Sequence, residues 1–113
     1  MTDHSARAVL DAFIRQTVFA KLAGTLPDDG MIWMNITDVV RHVDPEEFNR
    51  SKYSKYTLAE KLKRQLQALE DQCFITTRGS RYAIHEVFLM FVASQPKEVV
   101  DAYVRNHMKD PYG

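Results

Sequence analysis

The sequence predicts a mainly helical protein with one small β-hairpin, which places it in the α+β class. Apolar residues recur every three or four positions through most of the 113 residues, as they do in amphipathic helices. Between residues 74 and 84, two short runs of β-forming residues flank a glycine, which is typical of a tight hairpin. With 45% hydrophobic residues, the chain has enough apolar material for one core. We expect a single domain over residues 1–113, with its core at about 6–85 and a C-terminal helical extension at about 86–109.

The first predicted helix begins after Ser5, whose hydroxyl suits a helix N-cap. It continues to about Ala23, because Gly24 is suited to end a helix and a turn rich in proline, aspartate and glycine follows. Residues 31–34, which include Trp33, form a short apolar run after that turn. We expect this run to be a strand.

Two further helix starts precede the middle of the chain. Asn35 or Thr37 is suited to cap a helix over about residues 36–43. The Asp44-Pro45 pair and the acids after it predict another helix of one or two turns, because proline and acidic side chains favour the first turn. That helix is expected to end near Asn49.

The longest predicted helix spans residues 57–72, since Thr57 and Glu60 have the spacing of a capping box. Apolar side chains that share one face follow at intervals of three or four: Leu58, Leu62, Leu66, Leu69 and Cys73. Long polar side chains occupy the opposite face: Glu60, Lys63, Arg64 and Gln67. We expect Cys73 to be an inert buried thiol. Residues 50–56 lack apolar periodicity and are expected to form an exposed loop, which either contacts phosphate or is an ordinary solvated surface.

After this helix, residues 74–77 and 81–84 form the predicted hairpin, which places Arg78 and Arg81 at or beside its tip. Trp33 and Phe74 are the aromatic residues that have two interpretations, since each could stack on a nucleic-acid base or pack in the core. We favour the core for both, because aromatic side chains dominate small cores.

The distribution of charge is more informative than its total, which is zero. From Arg50 to Arg81 the chain has eight lysines and arginines and three acids, whereas the remainder has seven bases and twelve acids. The positive segment coincides with the long helix and the hairpin. A cluster of bases on such elements is typical of a surface that contacts a phosphate backbone.

Several classes of function are disfavoured by the sequence. No nucleophile elbow, phosphate-binding glycine loop or zinc-binding histidine pair is present, and the four histidines are scattered, so we expect no enzymatic activity, no cofactor and no metal. The single cysteine fits a reducing compartment. The N-terminus lacks an apolar stretch, and the longest apolar run has seven residues, far fewer than the roughly 20 that span a membrane. We therefore expect a cytoplasmic protein without a membrane segment.

The C-terminal region is predicted to contain two helices. Residues 86–93 are apolar on all sides, and Ser94 is suited to cap a last helix from Pro96 to about Met108. The apolar residues there exceed what one small core is expected to absorb, so some of them could form a homodimer interface: Phe88, Phe91, Val99 and Tyr103. The alternative, in which these helices only close the core of the monomer, is equally compatible with the sequence.

The predicted order of helix, short strand, helix, long helix and hairpin resembles the winged-helix family of DNA-binding domains, a winged helix-turn-helix fold, over roughly Val9 to Ile84. Extra C-terminal helices lie outside the resemblance. The stretch of residues 62–71, followed by Phe74-Ile75, Gly79 and Tyr82, is similar to the C-terminal winged helix of DpnI-like restriction enzymes, a module that helps to recognise methylated DNA. This chain lacks a nuclease segment, so the resemblance does not imply cleavage.

The resemblance implies a sequence-specific double-stranded DNA-binding protein, a small transcriptional regulator that is expected to act as a homodimer. Its helix 57–72 would enter the major groove and its wing 77–82 would contact the backbone, through these residues: Lys52, Lys55, Tyr56, Thr57, Lys63, Arg64, Gln67, Arg78 and Arg81. Arg64 suits guanine, Gln67 suits adenine, and Lys63 suits phosphate. The alternative is a winged-helix module for protein assembly that does not bind DNA itself, which the neutral net charge favours.

Overall fold

The computed structural model describes residues 3–108, which form six helices and three short strands. In chain order these are α1 (Ala6–Ala23), β1 (Met34–Asn35), α2 (Ile36–Val43), α3 (Pro45–Arg50), α4 (Lys52–Asp71), β2 (Ile75–Arg78), β3 (Arg81–Ile84), α5 (Glu86–Ser94) and α6 (Lys97–His107). The predicted class, mainly helical with a small β element, is confirmed.

The three strands form one antiparallel sheet with the order β1-β3-β2. The predicted hairpin is confirmed, because β2 pairs with β3 from Ile75↔Ile84 to Arg78↔Arg81 across a two-residue turn. Gly79 in that turn has φ +61°, a conformation that is costly for residues with a Cβ atom. The strand predicted at residues 31–34 is much shorter than expected, since only Met34 and Asn35 pair with β3.

One buried cluster joins the helices to the sheet. Its largest fully buried side chains come from α1, α4 and the start of the hairpin: Phe13, Leu10, Leu62, Leu66, Leu69, Phe74 and Ile75. Val100 and Val104 of α6 and Phe88 of α5 belong to the same cluster. The C-terminal helices therefore contribute to the core.

The three predicted starts of α1, α2 and α3 are confirmed at the level of individual hydrogen bonds. The Ser5 hydroxyl accepts from the backbone N–H of Ala8. Asn35 and Asp38 form a reciprocal capping box, and the Asp44 carboxylate accepts from the N–H of Glu47. At the other end of α1, Gly24 has φ +72° and terminates the helix as expected.

The start of α4 differs from the prediction. The helix begins at Lys52, with Ser51 as its cap, so the loop expected at residues 50–56 is wrong. The Thr57 hydroxyl, expected to cap, donates instead to the carbonyl of Tyr53 one turn earlier, at 3.1 Å. Short polar side chains make this bond inside helices, which is why capping-box spacing alone misplaced the boundary.

The end of α4 lies within one residue of the prediction, but the chain just after it differs from what was expected. The N–H of Cys73 donates to the carbonyl of Glu70, and that of Phe74 donates to Leu69, as in a Schellman motif. This motif places Cys73 in the left-handed region, at φ +64°, and exposes its thiol. The expectation of a buried Cys73 is therefore wrong, because the helix ends at Asp71 and the chain leaves the leucine face before it reaches Cys73.

In the C-terminal region, α5 is capped by His85 and ends at Ser94, so Ser94 is not the cap of the last helix. α6 follows Pro96 and has no side-chain cap. Of the residues expected at a dimer interface, Phe88 is only 4% exposed and packs in the core of its own chain, whereas Val99 and Tyr103 are exposed and Phe91 is half-buried. Within residues 3–108, none of the helices has the length and apolar character needed to cross a membrane.

Candidate nucleic-acid interface

The exposed face of α4 is polar along its whole length. Eight side chains share this face, which we call the α4 stripe: Tyr53, Tyr56, Thr57, Glu60, Lys63, Arg64, Gln67 and Asp71. All eight are exposed, whereas the leucines on the opposite face are buried in the core. The helical repeat of 3.6 residues produces this separation, because positions three and four apart lie on the same side. One face of α4 thus packs against the core, and the opposite face is exposed to solvent.

Within the α4 stripe, Lys63 is paired with an acid. Its ammonium lies 3.1 Å from a carboxylate oxygen of Glu60, one turn earlier, and both side chains are about half exposed. An exposed pair of this kind is weak and is readily exchanged for another partner. Lys63 therefore stays available to an incoming anion, although Glu60 cancels its charge in the unbound protein.

Gln67 is also engaged on the stripe. Its amide nitrogen donates to the Asp71 carboxylate at 2.9 Å. Asp71 lies on the same face one helical turn further on, so the Gln67 amide, which was predicted to face adenine, already has a partner in the unbound protein. Its oxygen and the second of its two N–H donors are left for another molecule.

Arg64 is the cation on the stripe that no acid within the described part of the chain neutralises. Among residues 3–108 its guanidinium has no hydrogen-bond or ion-pair partner, and it lies between the Glu60-Lys63 pair and Gln67 on the exposed face. Five N–H donors in a planar group are thus left in solvent at the middle of the helix. This arrangement suits recognition of a guanine edge or a phosphate.

Four of the six bases of the positive segment that precede the hairpin lie elsewhere or already have a partner. Lys55 points toward α3, where its ammonium lies 4.2 Å from the centre of the Phe48 ring. Lys61 lines a cleft beside His4 and Asp44, away from the stripe. Arg50 pairs with Glu47 at 3.2 Å, and Lys63 with Glu60 as described. The local positive charge is smaller than the sequence count suggested.

The hairpin brings two arginines to the same face of the sheet. Arg78 and Arg81 are directly opposite each other beside the two-residue turn, so their side chains project to the same side. The Arg78 guanidinium lies over the ring of Trp33, 4.7 Å from its centre. Arg78 is therefore held on the sheet by an aromatic ring, while Arg81 is exposed.

The other face of the hairpin is tied to α4. Thr77 lies on this face because strand side chains alternate, and its hydroxyl donates to the Glu70 carboxylate in the last turn of α4. Glu70 is only partly buried, and it lies beside the Gln67-Asp71 pair in sequence. This bond fixes the direction of the hairpin relative to the α4 stripe.

The two aromatic residues with alternative interpretations differ in the structure. Phe74 is 2% exposed and packs edge to face against Phe88, so its predicted place in the core is confirmed. Trp33 is only partly buried, and its ring carries the Arg78 guanidinium. The expectation that Trp33 belongs to the core is therefore wrong in part, because one of its faces is used by a cation.

A polar connection holds α1, α3 and α4 together beneath the interface. His4 lies 2.7 Å from the Asp44 carboxylate, and its carbonyl accepts from the amide of the fully buried Gln65 at 3.0 Å. Burial alone would raise the pKa of Asp44, but the hydrogen bonds from His4 and from the N–H of Glu47 outweigh it and lower that pKa below its ordinary 3.8. Asp44 is thus held ionised where α2 meets α3.

A second exposed surface has a different character. The end of α1 exposes Val18, Phe19 and Leu22, with Phe19 58% and Leu22 80% exposed. Beside it, an open groove of about 650 Å³ runs between α1 and the C-terminal helices, and Ile14, Val18, Val92 and Val100 contribute its apolar lining. We call Val18, Phe19 and Leu22, together with the apolar lining of this groove, the α1 apolar surface. Polar side chains also line the groove, among them Arg7, Arg15 and Lys97.

Sequence reasoning identified the central residues of the stripe and both arginines of the hairpin, but it missed three neighbours. Tyr53 joins the stripe only because α4 starts early, and Trp33 joins Arg78 only through the pairing of β1 with β3. The contact of Asp71 with Gln67 was also missed, although a spacing of four residues is the spacing at which helical side chains meet.

In the part of the chain from residue 3 to 108, no group of three or more His, Cys, Asp or Glu side chains is placed to hold a metal ion. Comparison with known protein families, with curated proteins and with solved structures found no match. Function therefore has to be inferred from the surface itself.

Proposed function

We propose that this chain is a winged-helix protein that binds double-stranded DNA in a sequence-specific way, as a small cytoplasmic transcriptional regulator. In this proposal α4 enters the major groove and the β2-β3 hairpin is the wing that contacts the backbone. The order of α1, β1, α2, α4 and hairpin, with the strand order β1-β3-β2, supports the assignment because it resembles the winged-helix order, to which the short α3 is an addition.

The observation that carries the proposal is the location of Arg64 on the α4 stripe. A guanidinium that has no acidic partner among residues 3–108 lies at the middle of a continuous polar helix face, between side chains able to contact bases or phosphates. An exposed helix of 20 residues with such a face fits the major groove, which admits one α-helix. The hairpin tied to the end of the same helix by Thr77 and Glu70 adds a second contact.

The residues have different roles in this proposal. Arg64 and Gln67 contact base edges, and Lys63 leaves Glu60 for a phosphate. Arg81 and the stacked Arg78 contact the backbone from the wing, and Lys52, Tyr56 and Thr57 contact it from the first turns of α4. Lys55 contributes to the general positive potential only, because its ammonium is occupied by the Phe48 ring.

The test is binding to a random-sequence DNA duplex over a series of salt concentrations. Release of cations from the phosphates makes the logarithm of the affinity fall linearly with the logarithm of the salt concentration. We expect a steep slope that becomes shallower by roughly one for each phosphate-contacting cation removed. Arg81→Ala and Lys63→Ala should show this change, whereas Lys97→Ala, which removes an equal charge on α6, should not. Absence of binding at low salt would reject the proposal.

We also propose that the protein acts as a homodimer, so that two copies of α4 contact successive major grooves about one helical turn apart. The α1 apolar surface and the exposed Val99 and Tyr103 supply the contact, since exposed apolar patches usually mark interfaces. Sedimentation should give twice the mass of the chain, and Phe19→Glu with Leu22→Glu should give the monomer. A monomeric wild type would remove the dimer while leaving the DNA proposal in place.

A second candidate function is protein assembly without DNA binding, which the α1 apolar surface favours. Here a partner protein would cover Val18, Phe19 and Leu22, and the bases on α4 would be incidental. The salt series separates the two functions, because assembly predicts no DNA binding at any salt concentration. The charged double variant at Phe19 and Leu22 would then abolish the assembly and not a DNA complex.

A further inference from the structure

The Trp33 ring and the Arg78 guanidinium meet across the middle strand of the sheet. Arg78 belongs to β2, Trp33 immediately precedes β1, and β3 lies between these two strands. Side chains alternate along an extended chain, so Trp33 lies on the same face as Asn35. Asn35 pairs with Arg81, and Arg81 pairs with Arg78, which places all four side chains on this face. The Arg78 guanidinium is 4.7 Å from the centre of the indole ring, so its side chain leans across β3.

The Trp33 ring holds the Arg78 cation without neutralising it. A ring attracts a cation through its electron-rich face and carries no net charge of its own. Lys63, in contrast, is held by the carboxylate of Glu60, which cancels its charge. Among residues 3–108, no carboxylate lies within ion-pair distance of Arg78. Arg78 is thus restrained, and it keeps its positive charge and N–H donors for an anion.

We propose that Trp33 is a positioning residue that holds Arg78 in place for a phosphate of the DNA backbone, an inference that rests on the proposed DNA binding. An unrestrained arginine side chain has many rotamers, and fixing one of them on a phosphate costs conformational entropy. The contact with Trp33 removes part of this freedom before DNA binds. Arg78 therefore loses less entropy on binding than an unrestrained arginine loses.

Arg81 provides a matched comparison on the same face of the hairpin. It is the same type of residue, it is exposed, and it lies directly opposite Arg78. Within the described part of the chain, no aromatic ring holds its guanidinium. Removal of the indole should therefore reduce the contribution of Arg78 to DNA binding and leave that of Arg81 unchanged.

The experiment is a double-mutant cycle on the full chain, with the affinity for a random-sequence DNA duplex measured over a salt series. Trp33→Leu should weaken binding about three- to tenfold, the cost of ordering one long side chain. The dependence on salt should keep its slope, because no charge is removed. In an Arg78→Ala background, Trp33→Leu should have no further effect, whereas in an Arg81→Ala background it should keep its full effect.

The conservative variant Trp33→Phe retains a ring and should retain part of the coupling to Arg78. It also replaces Trp33→Leu in the cycle if the leucine variant does not fold. Equal effects of the Trp33 substitution in the Arg78→Ala and Arg81→Ala backgrounds, with DNA binding intact, would overturn the inference and leave the proposed function standing. Failure of the wild type to bind DNA would overturn both.

Tryptophan fluorescence supplies a check that needs no DNA, because Trp33 is the only tryptophan in the chain. Arg78→Ala should shift the emission of Trp33, since the ring loses its cation and becomes more accessible to water. Arg81→Ala should leave the emission unchanged. Identical emission from the wild type and both arginine variants would also overturn the inference.

Discussion

The two longest helices, α1 and α4, are of similar length but expose different chemistry. α4 buries leucines from Leu58 to Leu69 and exposes polar side chains throughout, whereas α1 is buried only in its first half, up to Phe13. The last turns of α1 expose Val18, Phe19 and Leu22. The comparison shows that exposure alone does not define a functional surface. A polar face suits a nucleic acid, and an apolar one suits a protein.

The difference arises from what each helix packs against. α4 contacts α1, α2, α3 and β2, so neighbours cover one of its sides along most of its length. α1 contacts α2, α4 and β3 mainly through its first half, where Ala6, Val9 and Leu10 are fully buried. Beyond residue 17, α1 extends past these neighbours, and apolar side chains there remain in solvent.

The largest expected effect is on the free energy of unfolding. It should be large for a leucine on the buried face of α4 and small for a leucine at the exposed end of α1. Leu62→Ala removes a fully buried side chain and should lower the free energy of unfolding by about 2 to 5 kcal/mol. Leu22→Ala removes the same group where it is 80% exposed and should change it by less than about 0.5 kcal/mol. Urea unfolding measures both, and equal effects would contradict the packing described.

The next effect concerns the α4 stripe. Arg64→Ala should weaken binding to a preferred DNA site by about 1 to 3 kcal/mol and relax the preference at one base position. Lys55→Ala, whose cation lies on Phe48, should weaken binding to all sequences alike. Titration of matched preferred and random duplexes distinguishes these outcomes. If neither substitution altered binding, α4 would not be the contacting helix.

A third prediction compares the C-terminal ends of the two helices, which both reverse through a residue at positive φ. Cys73→Gly should stabilise the protein by about 1 kcal/mol, because the left-handed conformation is costly for a residue with a Cβ atom. Gly24→Ala should destabilise it by a similar amount, since no atom lies within 4 Å of the added Cβ and only the backbone cost remains. Thermal unfolding of both variants measures whether the first substitution raises the stability and the second lowers it.

The smallest expected effect is on pH dependence. The pKa of Asp44 is lowered in the fold, so its contribution to stability is present above its ordinary pKa of 3.8 and is lost as the pH falls below that value. Asp44→Asn keeps a side chain able to cap α3. It should make the free energy of unfolding depend less on pH below 3.8. Urea unfolding between pH 5 and pH 2.5 measures it. A wild-type curve that is already flat would contradict the depressed pKa.

His42 contributes to the same curve at higher pH. Burial, together with the nearby Arg41, lowers its pKa below the ordinary 6.5. The folded protein therefore resists protonation more than the unfolded chain, and stability falls as the pH drops below 6.5. His42→Gln should remove the loss of stability that begins below pH 6.5. It should leave the loss below pH 3.8 that is due to Asp44.

Most of the fold was predictable from local signals. Ser5, Asn35 and Asp44 each cap the helix that their identity predicts, and the glycine between two β-forming runs locates the hairpin turn. The start of α4 was not predictable in this way, because its first turn carries no buried side chain and two serines compete with Thr57 for the cap.

The candidate site was only partly predictable, for a related reason. Arg64 and Gln67 follow from helical periodicity, whereas the stacking of Arg78 on Trp33 depends on pairing between strands 46 residues apart in sequence. The exposure of Cys73 depends on where the chain reverses, and the burial of Phe88 depends on how α5 docks. Such features arise from tertiary packing.

The Arg78↔Arg81 pair has a consequence for the motion of the hairpin. Like charges directly opposite each other weaken a ladder, so this end should open more often than the buried Ile75↔Ile84 end. An anion bound between the two guanidinium groups would remove the repulsion and slow the opening. Amide hydrogen exchange at the tip of the hairpin, measured with and without inorganic phosphate, would report that change.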